Sequence, residues 1–165
     1  MNILCLDLDD CILPSPVTSF GLLEDDIDIF EINLKRIVIM LKKYEMKVFL
    51  TSSWSSLFDY NNGKITIKKD FLEDFNKDKF PRENKIYNLL CSYLNYYFCG
   101  ISSKNRDKDI LKLLEEGHTI VSFDDFDLSY IDDKNHLHIN INGFFENRYM
   151  VKIDSFLRNT ILEKK

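Results

Sequence analysis

Apolar residues follow two rhythms along this chain. Short runs end abruptly on acids or hydroxyls. Asn2 to Leu8 carries Ile3-Leu4-Cys5-Leu6 and then acid, Met46 to Leu50 precedes Thr51-Ser52-Ser53-Trp54, and Ile120-Val121-Ser122-Phe123 precedes Asp124-Asp125. Such runs predict short buried strands. His136 to Ile141 alternates as a strand does. The second rhythm is helical. Phe30, Leu34, Ile37, Val38 and Leu41 form one stripe, with Lys35, Arg36, Lys42 and Lys43 outside it. Ile86, Leu90, Tyr93, Leu94 and Tyr97 form another, running into a strand near Tyr97 to Ile101. Asp107 to Glu116 predicts a short helix stopped by Gly117. Ile153, Phe156, Leu157 and Ile161 predict a last one.

Two stretches lack rhythm. Asp9 to Asp28 holds Pro14 and Pro16, which break regular structure. Asp59 to Arg82 reads as a small insertion, in which Asn62-Gly63 before Ile65-Thr66-Ile67 signals a hairpin. Strands alternating with helices imply an α/β fold with a mostly parallel sheet covered on both faces. A chain of 165 residues is the size of one domain. Residues 1–165 are therefore expected to form a single domain with a small insertion at 59–82.

Composition narrows the chemistry. At 45% apolar residues the chain can fill a core, which argues against disorder. The net charge of −5 disfavours unselective binding of nucleic acid over a broad basic surface. It leaves room for a local groove for a nucleotide or strand end. Cys5, Cys11, Cys91 and Cys99 show no zinc-site spacing, so reduced thiols in a cytoplasmic protein are expected. The run before Asp7 is too short for a signal peptide, and no run approaches a membrane span.

Four polar clusters carry candidate chemistry. Asp7 and Asp9 stand two apart at the end of the first strand, where ligands bind in open α/β sheets. Thr51 and Ser52 end the second strand, where hydroxyls can hold a phosphate oxygen or cap the turn that follows. Lys104, Arg106 and Lys108 crowd a helix entry and can neutralise phosphate. Asp124 and Asp125 repel each other unless a cation or proton intervenes, and Mg²⁺ favours such carboxylates together with waters and phosphate.

The order strand–DxD, strand–Thr/Ser, basic residue at a helix start, strand–DD resembles the four motifs of the haloacid dehalogenase (HAD) superfamily. Asp7 and Asp9 match motif I, with Cys11 where Thr or Val is usual. Thr51 matches motif II, with Ser52 its neighbour, and Asp124-Asp125 matches motif IV. The matching frame spans about residues 2 to 130. In motif III the superfamily normally supplies Lys. Arg106 is followed by Ile110, Leu113 and Leu114 at four, seven and eight residues, so spacing favours Arg106 over Lys108 and Lys104. This register, with Thr51-Ser-Ser-Trp54 and the late Gly143-Phe144, is similar to the branch of phage HAD proteins and the HAD domain of Swiss Army Knife RNA repair proteins.

The resemblance implies a Rossmannoid three-layer sandwich with a minimal cap, and a Mg²⁺-dependent phosphomonoester hydrolase. Asp7 would attack phosphorus to give an aspartyl-phosphate. Asp9 would protonate the leaving oxygen and later deprotonate water. Asp7, the Asp9 carbonyl and a motif IV carboxylate, Asp125 before Asp124, would hold Mg²⁺. Thr51 and Arg106 or Lys108 would bind the phosphate oxygens. The implied substrate is a phosphorylated small molecule or nucleic-acid end, with the branch favouring a nucleotide or terminal phosphate. The competing reading is a non-catalytic phosphate- or metal-binding module on the same fold. A two-component receiver domain fits badly, because no acid lies two residues beyond its phosphorylated Asp.

Overall fold

The computed structural model describes residues 1–14 and 23–163. Five strands form one parallel sheet: β1 (Asn2–Leu6), β2 (Met46–Leu50), β5 (Phe98–Ile101), β6 (Thr119–Asp124) and β7 (His136–Asn140). Their order across the sheet is β5-β2-β1-β6-β7. The chain thus winds outward from β1 on one side, then crosses to β6 and winds outward on the other. The direction of winding reverses beside β1, which creates a crevice at the carboxyl ends of β1 and β6.

Alternation within the strands divides the core. Leu4 and Leu6 of β1 join Val48, Leu50, Val121 and Phe123 in the larger apolar cluster. That face is covered by α1 (Leu23–Lys43), α2 (Pro81–Leu94) and α4 (Asn147–Glu163), which supply Phe30, Leu34, Ile86, Leu90, Ile153 and Leu157. Ile3 and Cys5 point the other way. They pack with Ile120 and with Ile110 and Leu113 of α3 (Arg106–Glu115). Phe49 also belongs to this second face, and Gly100 of β5 makes room for it. A Cβ at Gly100 would sit 2.7 Å from the Phe49 ring.

The expected strands and helices are found, with shifts at their ends. The first helix starts at Leu23, inside the stretch expected to be irregular up to Asp28; its acidic opening shows no apolar rhythm. Pro16 and the side chain of Ile161 lie outside the described residues. The second helix stops at Leu94, so Tyr97 is not on it. Tyr96 adopts a φ of 75°, and its amide donates to the Gly63 carbonyl instead of continuing the helix. The insertion contains a hairpin, β3 (Phe58–Asn61) and β4 (Lys64–Ile67). Asn62 and Gly63 have φ of 48° and 81°, the two positive values that a tight hairpin turn of this hand requires. A 3₁₀ segment, Lys69–Phe75, then leads to α2. Among the described residues no helix is long and apolar enough to cross a membrane.

Candidate active site

Strand register levels the candidate residues. Leu6 pairs with Leu50 on one side and with Phe123 on the other. The next residue on each strand is Asp7, Thr51 and Asp124. The ladder continues through them: the Asp7 amide donates to the Phe123 carbonyl and the Thr51 amide to the Leu6 carbonyl, both at 2.9 Å. Parity then selects the face. Asp7, Thr51 and Asp124 alternate with Leu6, Leu50 and Phe123 of the larger cluster, so all three turn toward the side covered by α3.

Arg106, the first residue of α3, meets them there. Its Nη1 donates to both oxygens of Asp124, at 2.5 and 2.6 Å, and to Oδ2 of Asp7 at 3.4 Å. Among the three basic candidates, Arg106 makes these contacts. Lys108 is exposed, and Lys104 lines the neighbouring cavities. The loop before α3 is pinned by Asp109, which accepts from the hydroxyls of Ser102 and Ser103.

One carboxylate oxygen from each of Asp7, Asp124 and Asp125 lies within 4.8 Å of the others. Asp7 and Asp124 are buried and Asp125 is exposed. Burial pushes the Asp7 carboxyl up to about 7; the Asp124 charge adds to this and Arg106 opposes it. Asp124 is raised too, by burial, against the Phe126 amide and Arg106. Both oxygens of Asp124 already accept from Arg106, and Oδ1 also accepts from the Phe126 amide at 2.9 Å. Asp125 is therefore the freer ligand. Three clustered carboxylates facing one gap form a hard oxygen-donor set that suits a divalent cation.

Asp9 stands apart from that cluster. After β1 the chain coils tightly, with the Cys11 and Leu13 amides both donating to the Leu8 carbonyl. Asp10 takes a φ of 58°, which Asp tolerates. The coil buries Cys11, Ile12 and Leu13 and leaves Asp9 and Asp10 exposed. Oδ2 of Asp9 accepts from the indole Nε1 of Trp54 at 2.9 Å. Ser52 caps the 3₁₀ turn Ser53–Leu57, its hydroxyl accepting from the Trp54 amide at 3.3 Å.

Two cavities open on this edge and share Lys104 and Arg106. One, of about 220 Å³, is lined by hydroxyls from Thr51, Ser52, Ser102 and Ser103. The other, about 570 Å³, runs past Asp125 between Phe126 and Tyr130. These rings are 60% and 59% exposed, although both are large and apolar.

Comparison with known proteins finds no matching family model, no matching curated protein and no matching solved structure.

Sequence reasoning had no claim on the Trp54–Asp9 bond or on Phe126 and Tyr130 as cleft walls. The first joins residues 45 apart, through a turn whose direction no local pattern encodes. An aromatic within two residues of Asp124-Asp125 was the only available trace of the second.

Proposed function

We propose that this protein is a HAD-type, Mg²⁺-dependent phosphomonoester hydrolase that works through an aspartyl-phosphate on Asp7. The observation that carries the reading is the convergence of Asp7, Asp124 and Asp125 around one gap, with Arg106 bound to two of them. Mg²⁺, held by Asp7, Asp125 and the main chain of Asp9 with Asp124 behind, would neutralise charge between carboxylates and phosphate.

An Asp7 carboxylate oxygen attacks phosphorus in line, and the bond from phosphorus to the ester oxygen breaks. Burial raises the Asp7 carboxyl to about 7, and a divalent cation beside it would favour the ionised, nucleophilic form further. Asp9, next on the coil, gives its proton to the departing oxygen. It then takes a proton from the water that attacks the aspartyl-phosphate, releasing phosphate and restoring the Asp7 carboxylate. Thr51 and Arg106 bind the equatorial oxygens, where charge is concentrated in the transition state. Arg106 spends only Nη1 on the acids, which keeps Nε and Nη2 for phosphate. Ser52 and Lys104 border the same cavity; Lys108 has no part.

The finer reading is a nucleotide or nucleic-acid terminal phosphate as substrate. It is supported by the cleft leading away from Asp125, where two exposed rings flank a lysine and an arginine. Such rings suit stacking on a base. The four free thiols suit a cytoplasmic setting.

The test is rapid-mixing release of an acidic phenol from its phosphate ester in Mg²⁺. Asp7→Asn removes the nucleophile and should abolish release. Asp9→Asn should give a burst and then stall, because an acidic phenol departs with little help whereas the second step still needs the base. With an alkyl phosphate the Asp9→Asn loss should be about 10²–10⁴-fold. Turnover by Asp7→Asn equal to wild type would sink the mechanism.

A further inference from the structure

Trp54 occupies a position that the chemistry above does not use. Its indole Nε1 donates to Oδ2 of Asp9 at 2.9 Å; the Asp9 main chain is bridged to Leu13, but its side chain is exposed. The ring is fixed from behind. Trp54 meets the Phe75 ring edge-on at 5.9 Å and lies 6.4 Å from Phe58. Phe58 and Phe75 are buried and in turn pack against Tyr87 of α2, each at 5.7 Å. Phe58 begins the hairpin, one residue ahead of the 59–82 insertion, and Phe75 ends the 3₁₀ segment within it. The Phe75 carbonyl is tied to α2 by the Asn84 amide at 2.9 Å.

We propose that Trp54 is a positioning residue for Asp9, and that the insertion serves to buttress it. This rests on the phosphatase reading, in which Asp9 handles the proton. An indole N–H can only donate, so Oδ2 of Asp9 must accept. The bond therefore locks the rotamer of the carboxyl and reserves Oδ1 for the leaving oxygen and, later, for water. An exposed aspartate on a coil would otherwise sample several rotamers, and each loses alignment with the ester oxygen. The insertion reaches the reaction through three aromatic rings rather than by closing over the substrate.

Trp54 is the one tryptophan of the chain, so a single indole N–H signal reports the bond by NMR without any assay. In Asp9→Ala that signal should lose its hydrogen-bonded shift and exchange faster with solvent. Trp54→Phe keeps a ring against Phe58 and Phe75 but removes the donor. Its kcat on an alkyl phosphate should fall about tenfold or more, as expected when the proton donor loses its alignment, with KM unchanged. The phenol burst from an acidic aryl phosphate should hardly change. In an Asp9→Asn background the substitution should cost nothing further, since the two act as one unit. Phe75→Leu, milder for folding, should show the same dependence on leaving group at smaller size. An indole signal indifferent to Asp9→Ala would overturn the proposal, and so would equal losses on both esters or additive losses with Asp9→Asn. A wild-type protein inert toward every phosphomonoester in Mg²⁺ would instead overturn the phosphatase reading, and the positioning role would fall with it even if the indole bond were found.

Discussion

Nη1 of Arg106 sits between the two oxygens of Asp124, at 2.5 and 2.6 Å, while the side chain of Asp124 is only 1% exposed. A buried carboxylate is thus answered by one guanidinium nitrogen from the first turn of α3. Removing the cation would leave the buried acid with the Phe126 amide alone to answer its charge. Arg106→Ala should therefore lower stability by about 3–5 kcal/mol, less if a divalent cation takes its place. Arg106→Lys should restore most of the stability, because a single nitrogen suffices for Asp124. It should restore activity less fully than stability, because on the proposed reading one ammonium in a site shaped for the Arg106 fork offers fewer directed donors to phosphate. Urea midpoints and kcat/KM measured side by side check this. Equal recovery of both would contradict the division of labour.

Asp7 carries a stability penalty that depends on pH. Its ordinary value is 3.8 and the folded protein raises it to about 7, so the folded state holds a proton that the unfolded chain has lost. Stability from this group is highest at low pH and falls between about pH 4 and 7. Asp7→Asn should melt higher than wild type at pH 8 in the presence of a chelator, and the gap should close toward pH 4. It should also narrow in excess Mg²⁺, because on the proposed reading the cation needs the full wild-type carboxylate set. An unchanged gap from pH 4 to 8 would show that Asp7 is not strained by burial.

Two histidines act in the opposite sense. Ser122 lies between His136 Nε2 at 2.9 Å and His138 Nδ1 at 3.1 Å, and His136 Nδ1 meets the Ile131 carbonyl at 3.0 Å. A carbonyl only accepts, so Nδ1 of neutral His136 holds the proton and Nε2 accepts from Ser122. The serine oxygen can then accept from His138. Burial lowers both imidazoles below 6.5. Their stabilisation is complete above the unfolded value and is lost as pH falls below it. Asp7 and Asp124, both raised by burial, oppose this as pH rises above the ordinary carboxylate range, so the slope should be steeper in Asp7→Asn than in wild type. That variant should weaken from pH 7 to 5, and His136→Gln with His138→Gln should flatten the curve. A flat profile before those substitutions would contradict the neutral pair.

Cys11 is fully buried two residues beyond Asp9, and burial together with Asp7 pushes its thiol well above its ordinary value. A thiol so placed does not supply a nucleophile. It should resist alkylation in the folded protein while the half-buried Cys91 and Cys99 react first. Cys11→Ser should keep activity within an order of magnitude and lower stability by about 1–3 kcal/mol through the buried hydroxyl. Loss of all activity with an intact fold would assign the sulfur a chemical role.

The sheet and the acids on it were readable because both are written locally. An apolar run that stops on Asp7, Thr51 or Asp124 states where a strand ends and what it presents. Arg106 was readable from the helical spacing of Ile110, Leu113 and Leu114 behind it. Other parts depend on contacts that no window contains. Asn33 interrupts the apolar stripe of α1, yet it is fully buried. Its amide donates to the carbonyls of Ile12 and Gly143, and its oxygen accepts from the Phe145 amide. The start of α1 was missed because Glu24-Asp25-Asp26 carries no apolar rhythm. The place of Trp54 was missed because its support arrives from residues 58 and 75.

The levelling of Asp7, Thr51 and Asp124 one step past a shared rung has a consequence for heredity. Adding or deleting one residue within β1, β2 or β6 would displace one of these three side chains by about 3.3 Å and turn it to the opposite face. Loops such as the hairpin can lengthen without moving any of the three. In a lineage descending from this chain, strand length is therefore inherited more strictly than residue identity within the strands, and insertions should accumulate in turns such as Asn62-Gly63 rather than within β1, β2 or β6.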